Sequence, residues 1–241
     1  MQEKLDILKK MIQESENIVF FGGAGVSTES GIPDFRSENG IFSAVNNYGY
    51  RPEMILSHTF FLTHPDVFFD YYKKTLLYPD AQPNEAHKAL ARLEKAGKLK
   101  AVITQNIDDL HQKAGSKNVL ELHGTLYRNY CMKCGKKFPL EYVMQTEGIT
   151  RCDSCQGMVR PDVVLYEEGL DEKVISAAIY HLKQADMLIV GGTSLNVYPA
   201  AGLIDYYSGD KLVLINKSST GFDHRANLII SENIGSVLKE I

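Results

Sequence analysis

The sequence predicts an α/β fold built on a parallel sheet, with a smaller cysteine-bearing insert and a helical module. Three observations predict it. Short apolar runs (IVFF at 18–21, AVIT at 101–104, MLIV at 187–190, LVLI at 212–215) alternate with segments of helical period, the pattern of strands buried on both faces. Those runs end on Gly, Gln-Asn or Asn, so polar residues gather past the strands' C-terminal ends, the edge where open α/β sheets hold ligands. Four cysteines stand in two close pairs apart from these strands.

Residues 3–15 place Leu5, Leu8, Met11 and Ile12 on one side of an amphipathic helix. The run at 18–21 then enters Gly22-Gly23-Ala24-Gly25, a turn that only residues without bulky side chains can make. In Rossmann-like sheets, this is where a dinucleotide pyrophosphate approaches backbone N–H groups. The stretch departs from the dehydrogenase fingerprint: its third glycine is Thr28, Gly31-Ile32-Pro33 cuts the next helix short, and no acidic residue lies between Asn39 and Pro52. The glycines alone equally suit a tight turn with no ligand. The tail Ile32-Pro33-Asp34-Phe35-Arg36 sets a carboxylate, an aromatic ring and a guanidinium beside that turn, which favours a held ligand.

From Ser37 to Asp80 aromatic residues are frequent and strand alternation is absent, as in a helical module whose rings form a core. Asn84 caps a helix over Ala86–Lys95 that Gly97 ends. The strand at 101–104 closes on Gln105, Asn106, Ile107 and Asp108, before a helix to Ala114. A strand at 119–122 closes on His123-Gly124. After the insert at 127–160, a strand at 163–165 resumes the α/β rhythm. A helix over 172–183 follows, then the strand at 187–190 ending on Gly191, Gly192, Thr193 and Ser194. A helix over 200–207, a strand at 212–215 ending on Asn216, and a short strand at 228–230 complete the chain. The expected division is 1–36, 81–126 and 161–241 for the Rossmann-like domain, 37–80 for the helical module and 127–160 for the insert.

Cys131-Met132-Lys133-Cys134 and Cys152-Asp153-Ser154-Cys155 are two C-x₂-C knuckles with residues 135–151 between them, a spacing that fits a Cys₄ zinc ribbon. Two disulfides are the alternative. Four thiolates fill a tetrahedral shell, so the one zinc is structural and no zinc-hydrolase chemistry is expected of it. Lys133, Lys136, Lys137, Arg128 and Arg151 are expected to offset its thiolate charge. A net charge of −4 excludes the chain as a whole from electrostatic nucleic-acid binding. No apolar run reaches the length of a membrane span and the N-terminus lacks an apolar signal core. Paired cysteines without secretory features then point to the reducing cytoplasm.

Of seven histidines, His87 and His111 read as structural helix residues. His123 differs, because it ends a buried strand at the ligand edge beside Asn106 and Asp108. That company suits a general base.

GAGVS followed by GIPDFR, TQNID at 104–108, HG at 123–124, the cysteine pairs, PDVVLYEE at 161–168, GTSLNVYP at 192–199 and IN at 215–216 together resemble the sirtuins, the NAD-consuming protein deacylases. The resemblance implies that Gly23, Ala24, Gly25, Thr28, Phe35 and Arg36 contact NAD. It implies Gln105, Gly192, Thr193, Ser194 and Asn216 at the adenosine and ribose, with Ile234 near the adenine. Ile32, Asp34, Asn106, Ile107 and Asp108 would line the nicotinamide pocket. The oxygen of an acylated lysine would attack the ribose C1′ as nicotinamide leaves, with His123 then acting as base on the ribose hydroxyls and Asn106 and Asp108 as its catalytic companions. The partner implied is an acetylated-lysine protein or peptide, lying as an added strand along Val163, Val164, Leu165 and Tyr166 on one side and Leu195 and Val197 on the other. Gly22 replaces the family's common threonine. The Tyr-x-x-Arg pair of succinyl-preferring members falls on Phe69 and Tyr72, so a small neutral acyl group is expected, with Lys73 and Lys74 close enough to leave the point open. A protein ADP-ribosyltransferase, a non-enzymatic zinc-ribbon module and a dehydrogenase are the competing readings.

Overall fold

A computed structural model describes residues 1–34 and 37–241. Its strands are β1 (Ile18–Gly22), β2 (Leu99–Thr104), β3 (Val119–Glu121), β4 (Gly124–Cys131), β5 (Lys137–Pro139), β6 (Val159–Val163), β7 (Met187–Gly191), β8 (Leu212–Ile215) and β9 (Leu228–Ile230). A six-stranded sheet runs in the order β3-β2-β1-β7-β8-β9, every pair in it parallel, and a three-stranded antiparallel sheet in the order β5-β4-β6.

The large sheet is covered on both faces, which is why its strands carry no polar side. Ile18 and Phe20 join Leu8, Ile12 and Leu90 in one layer, from the helices Gln2–Gln13 and Glu85–Lys95. Val19 and Phe21 join Ala178, Leu182 and Leu203 in the other, from the helix Glu172–Gln184 and the 3₁₀ helix Ala200–Tyr206. The latter is the helix expected over 200–207, wound as 3₁₀; Gly202 in its middle disfavours an α-helix. The order of the strands reverses direction at β1, so the crevice past the ends of β1 and β7 is the topological switch point.

Between β1 and β2 the chain forms the helices Glu38–Tyr48, Pro52–Ile55, His58–Thr63 and Pro65–Tyr71 and the π-turn Tyr72–Leu76. Ser37 and Ser57 cap two of them, and Pro52 and Pro65 occupy first turns where no N–H is needed. Phe60, Phe61, Phe68, Phe69, Tyr71 and Tyr72 are buried with Cys131, Phe138, Cys152 and Val159 in one core. The helical segment and the small sheet thus pack as a unit.

One strand belongs to a different sheet from the one expected. Val163 ends β6, which pairs antiparallel with β4 (Gly124↔Val163) and does not resume the parallel sheet. An apolar run this short carries no period that names its sheet. The cysteine knuckles decide instead, because they flank β4 and β6 and bring the two alongside. Pro161, lacking an N–H, is tolerated on this edge strand. The closing helix Ile234–Leu238 went unanticipated. Among the described residues, no helix is long and apolar enough to cross a membrane.

His87 and His111 are buried with ring centroids 4.7 Å apart. The Asn84 side chain caps its helix through Ala86 N, and the Asn84 N–H donates to His87 Nδ1 (3.3 Å). That bond requires a neutral ring. Burial pushes His87 down to about 4, and burial plus the neighbouring His87 lowers His111 well below the usual imidazole value. The folded value lies below the unfolded one of about 6.5, so stability is full above that pH and is lost as pH falls towards 4. Urea titrations at pH 7 and pH 5 are expected to differ by about 2 kcal/mol from His87 alone, with a further loss from His111. An equal urea midpoint at both values would contradict it.

Candidate active site

The loops past β1, β2 and β3 and the segment after β6 enclose a cavity of about 460 Å³. Ala24, Ser27 and Ile32 line it from the glycine turn, Gln105, Asn106, Ile107 and Asp108 from the end of β2, and His123 from the end of β3. Val163, Val164, Leu165, Tyr166 and Val197 line it too, and Phe68, Tyr71, Tyr72 and Leu126 of the second core give it apolar wall.

The glycine turn consists of two 3₁₀ turns, Ala24–Val26 and Thr28–Ser30, ended by Gly31 in the left-handed region (φ 82°), so the following helix is indeed cut short. Gly25 is required by a close approach. Its N–H donates to Gly192 O (2.8 Å), and a Cβ there would lie 2.7 Å from Gly192 Cα. Asn84 Nδ2 pins the same turn by donating to Val26 O (2.7 Å) and Ser30 Oγ (3.0 Å).

A buried serine joins the two loops. Asn106 Nδ2 donates to Ser27 Oγ (3.0 Å), and Ser27 Oγ donates to Asp108 Oδ2 (2.6 Å), whose Oδ1 accepts the Leu110 N–H (3.0 Å). Burial raises the Asp108 carboxyl above its usual value, and the Ser27 and Leu110 bonds pull against that rise. Sequence reasoning missed Ser27. Its only signal was a hydroxyl closing an otherwise apolar glycine turn.

His123 Nδ1 lies 3.0 Å from Gln105 O. A carbonyl only accepts, so Nδ1 carries the proton and Nε2 is the basic nitrogen of the neutral ring. Gly124 follows at φ 72°, where a Cβ would collide with Asp162 O. Only glycine lets β4 leave His123 so close to β6.

Other expected residues form a second cluster, joined to the cavity through Gln105. Gln105 Nε2 donates to Thr193 Oγ1 (3.0 Å), Thr193 N to Asn216 Oδ1 (3.0 Å), and Asn216 Nδ2 to Thr193 O (2.5 Å). Ser194 is exposed beside them. Gly23 packs against Thr193, Thr28 donates to Gly25 O (3.0 Å), and Asp34 is half-buried. The side chains of Leu195, expected beside the peptide, and Ile234, expected near the adenine, are both buried. The Leu195 side chain is buried in one face of the sheet, and Ile234 fills the other beneath Gly191. Phe35 and Arg36 lie outside the described residues.

The Sγ atoms of Cys131, Cys134, Cys152 and Cys155 all lie within 4.8 Å of one another. The nearest separations, 3.5 Å for Cys131–Cys155 and 3.7 Å for Cys134–Cys152, are far beyond a disulfide bond of about 2.05 Å. The thiols are free. A Cβ on Gly157 would come within 2.8 Å of Cys131 Sγ, so the loop is shaped around the sulfurs. Such a donor set fits one tetrahedral zinc ion. The expected charge balance differs in part: Lys136 pairs with Asp153 (2.6 Å), and Arg128 with Glu121 (2.7 Å) and Asp162 (3.1 Å).

The family model described as "Sir2 family" matches residues 23–199. The chain belongs to the Sir2 family. A Clostridium acetobutylicum relative named NAD-dependent protein deacetylase is 60% identical, covering 99% of this chain and 98% of that protein. A Clostridium perfringens protein of the same name is 57% identical, covering 100% and 99%. Among solved structures, a Sir2–p53 peptide–NAD+ complex superposes with a TM-score of 0.85 at 38% identity, over 98% of this chain and 95% of that one.

Proposed function

We infer that this Sir2-family chain is an NAD-dependent protein-lysine deacetylase that releases nicotinamide and O-acetyl-ADP-ribose. The observation that carries the inference is one cavity bounded at once by a glycine turn, the Asn106–Ser27–Asp108 chain, a histidine of fixed tautomer and the segment 163–167 that follows β6. NAD is the co-substrate. Its nicotinamide end takes the space beside Ala24, Ile32, Asn106, Ile107 and Asp108, and its adenosine end the cluster at Gly192, Thr193, Ser194 and Asn216. Expelling nicotinamide builds positive charge at the ribose, which buried, fixed dipoles stabilise better than water does. His123 Nε2 then takes a proton from the ribose. The acetyl-lysine peptide adds as a strand along 163–167 with Val197 opposite, held by main-chain hydrogen bonds. A zinc ion on the four cysteines fixes the small sheet and takes no part in bond-breaking. Four cysteines without a disulfide fit a reducing cytoplasm.

The acyl preference follows from the cavity wall. Phe69 and Tyr72 are buried, and the Tyr72 hydroxyl donates to Leu126 O (3.0 Å) and Asn129 Oδ1 (3.2 Å). Lys73 is spent on the carbonyls of Thr146 (2.5 Å) and Gly148 (2.7 Å), and Lys74 on Asp70 (2.6 Å). Neither lysine is among the residues that line the cavity. Burying that charge unpaired costs about 3 kcal/mol or more, about a hundredfold in rate. Incubation with NAD and acetyl or succinyl versions of one peptide, read by mass, is expected to give nicotinamide and O-acetyl-ADP-ribose with the first and at most about 1% of that rate with the second. ADP-ribose on protein, or NADH, would replace this reading by a transferase or a dehydrogenase.

A further inference from the structure

The segment 163–168 is fixed by side chains and loop carbonyls more than by a sheet. Arg160, itself buried, donates from Nη1 and Nη2 to the two oxygens of Glu168 (2.6 and 3.0 Å) and from Nη2 to Val163 O (2.7 Å). The same carboxylate accepts the Leu165 N–H (2.8 Å) and His58 Nδ1 (2.8 Å); a carboxylate only accepts, so that nitrogen bears the proton. The helical module grips the main chain from the other side, Tyr166 N donating to Leu56 O and His58 N to Tyr166 O, each at 3.0 Å. Glu167 is held at φ 76° while its carboxylate takes the Thr59 N–H (2.9 Å) and hydroxyl (2.7 Å). A non-glycine residue stays in that region only where its surroundings over-determine it, and such positions gather at ligand clamps.

We propose that Arg160 and Glu168, braced by His58, are positioning residues for the acyl-lysine peptide, holding the main chain of 163–166 in the register on which the substrate strand pairs. The proposal rests on the reading that the peptide docks along this segment. Among the described residues, the hydrogen-bond partners of Arg160, Glu168 and His58 include none from the glycine turn or the Thr193–Asn216 cluster. Losing the clamp therefore weakens the hold on peptide and spares the hold on NAD.

The test uses E168Q, R160K and H58A in the full chain, with peptide affinity from the anisotropy of a fluorescent acetyl-lysine peptide and KM for NAD from turnover. E168Q removes the charge and turns one acceptor into a donor facing Arg160; it is expected to weaken peptide binding at least about tenfold with KM for NAD within about twofold. R160K keeps the charge but loses the fork, and is expected to fall with E168Q. H58A removes one brace at a half-exposed position and is expected to weaken peptide binding about threefold. It decides the matter if circular dichroism shows the other two unfolded. Peptide affinity unchanged within about twofold, or a parallel rise in KM for NAD, overturns the clamp. A wild-type chain that does not bind the peptide overturns the docking reading instead.

Discussion

Replacing His123 with alanine is expected to lower deacetylation by about 10²–10⁴-fold, the range for removal of a positioned general base, while exchange of labelled nicotinamide into NAD continues. The split follows from where the ring sits and which proton it holds. Its Nδ1 proton is committed to Gln105 O, so Nε2 is the basic nitrogen, and in the proposed reaction it is needed only after nicotinamide has gone. Departure itself calls for dipoles against developing positive charge, which the Asn106–Ser27–Asp108 chain supplies without His123. Both rates are read from one reaction mixture, with nicotinamide exchange and free lysine peptide followed together. If the two fell in step, His123 would be acting in binding or in the first chemical step, and its role as a late base would be lost.

What was legible in the sequence was whatever local chemistry dictates. Strands β1, β7 and β8 are apolar throughout because both their faces are covered, so the parallel sheet could be read without a partner in view. The cysteine pairs announce themselves because a tetrahedral shell demands that spacing. His123 stood out by falling at a strand's end, where the sheet topology gathers polar groups whatever their distance along the chain. Ser27, by contrast, matters because Asn106 and Asp108 reach it from a loop distant in sequence, and no periodicity carries that. Val163 was placed in the wrong sheet for a similar reason: the choice between partners was made by the sulfurs at Cys131, Cys152 and Cys155 and not by the strand itself. Leu195 looked like rim and proved to be core, because a left-handed turn at φ 57° carries its side chain inward.

The proposed zinc site has a larger-scale consequence for the fold. In Cys152→Ser protein, or after chelation, unfolding is expected to be confined to part of the chain. Structural zinc sites contribute about 10–16 kcal/mol to the elements that bind them, more than a core of this size has in reserve. Cys131 and Cys152 are buried in the same cluster as Phe60, Phe61, Phe68 and Tyr72, so the loss spreads from the knuckles through the small sheet into the aromatic wall of the cavity. It also releases β6 and with it the segment 163–167 proposed to hold the peptide. The two layers on the parallel sheet contain no residue of the small sheet, and they persist. Hydrogen exchange on metal-free protein is therefore expected to show amides of β4 and β6 exchanging freely while those of β1, β2 and β7 stay protected. Peptide binding should vanish and the Gln105–Thr193–Asn216 cluster should remain in place. Uniform exchange through both sheets would mean that the chain unfolds as one unit and that the shared core, not the metal, is what couples the cavity to the fold.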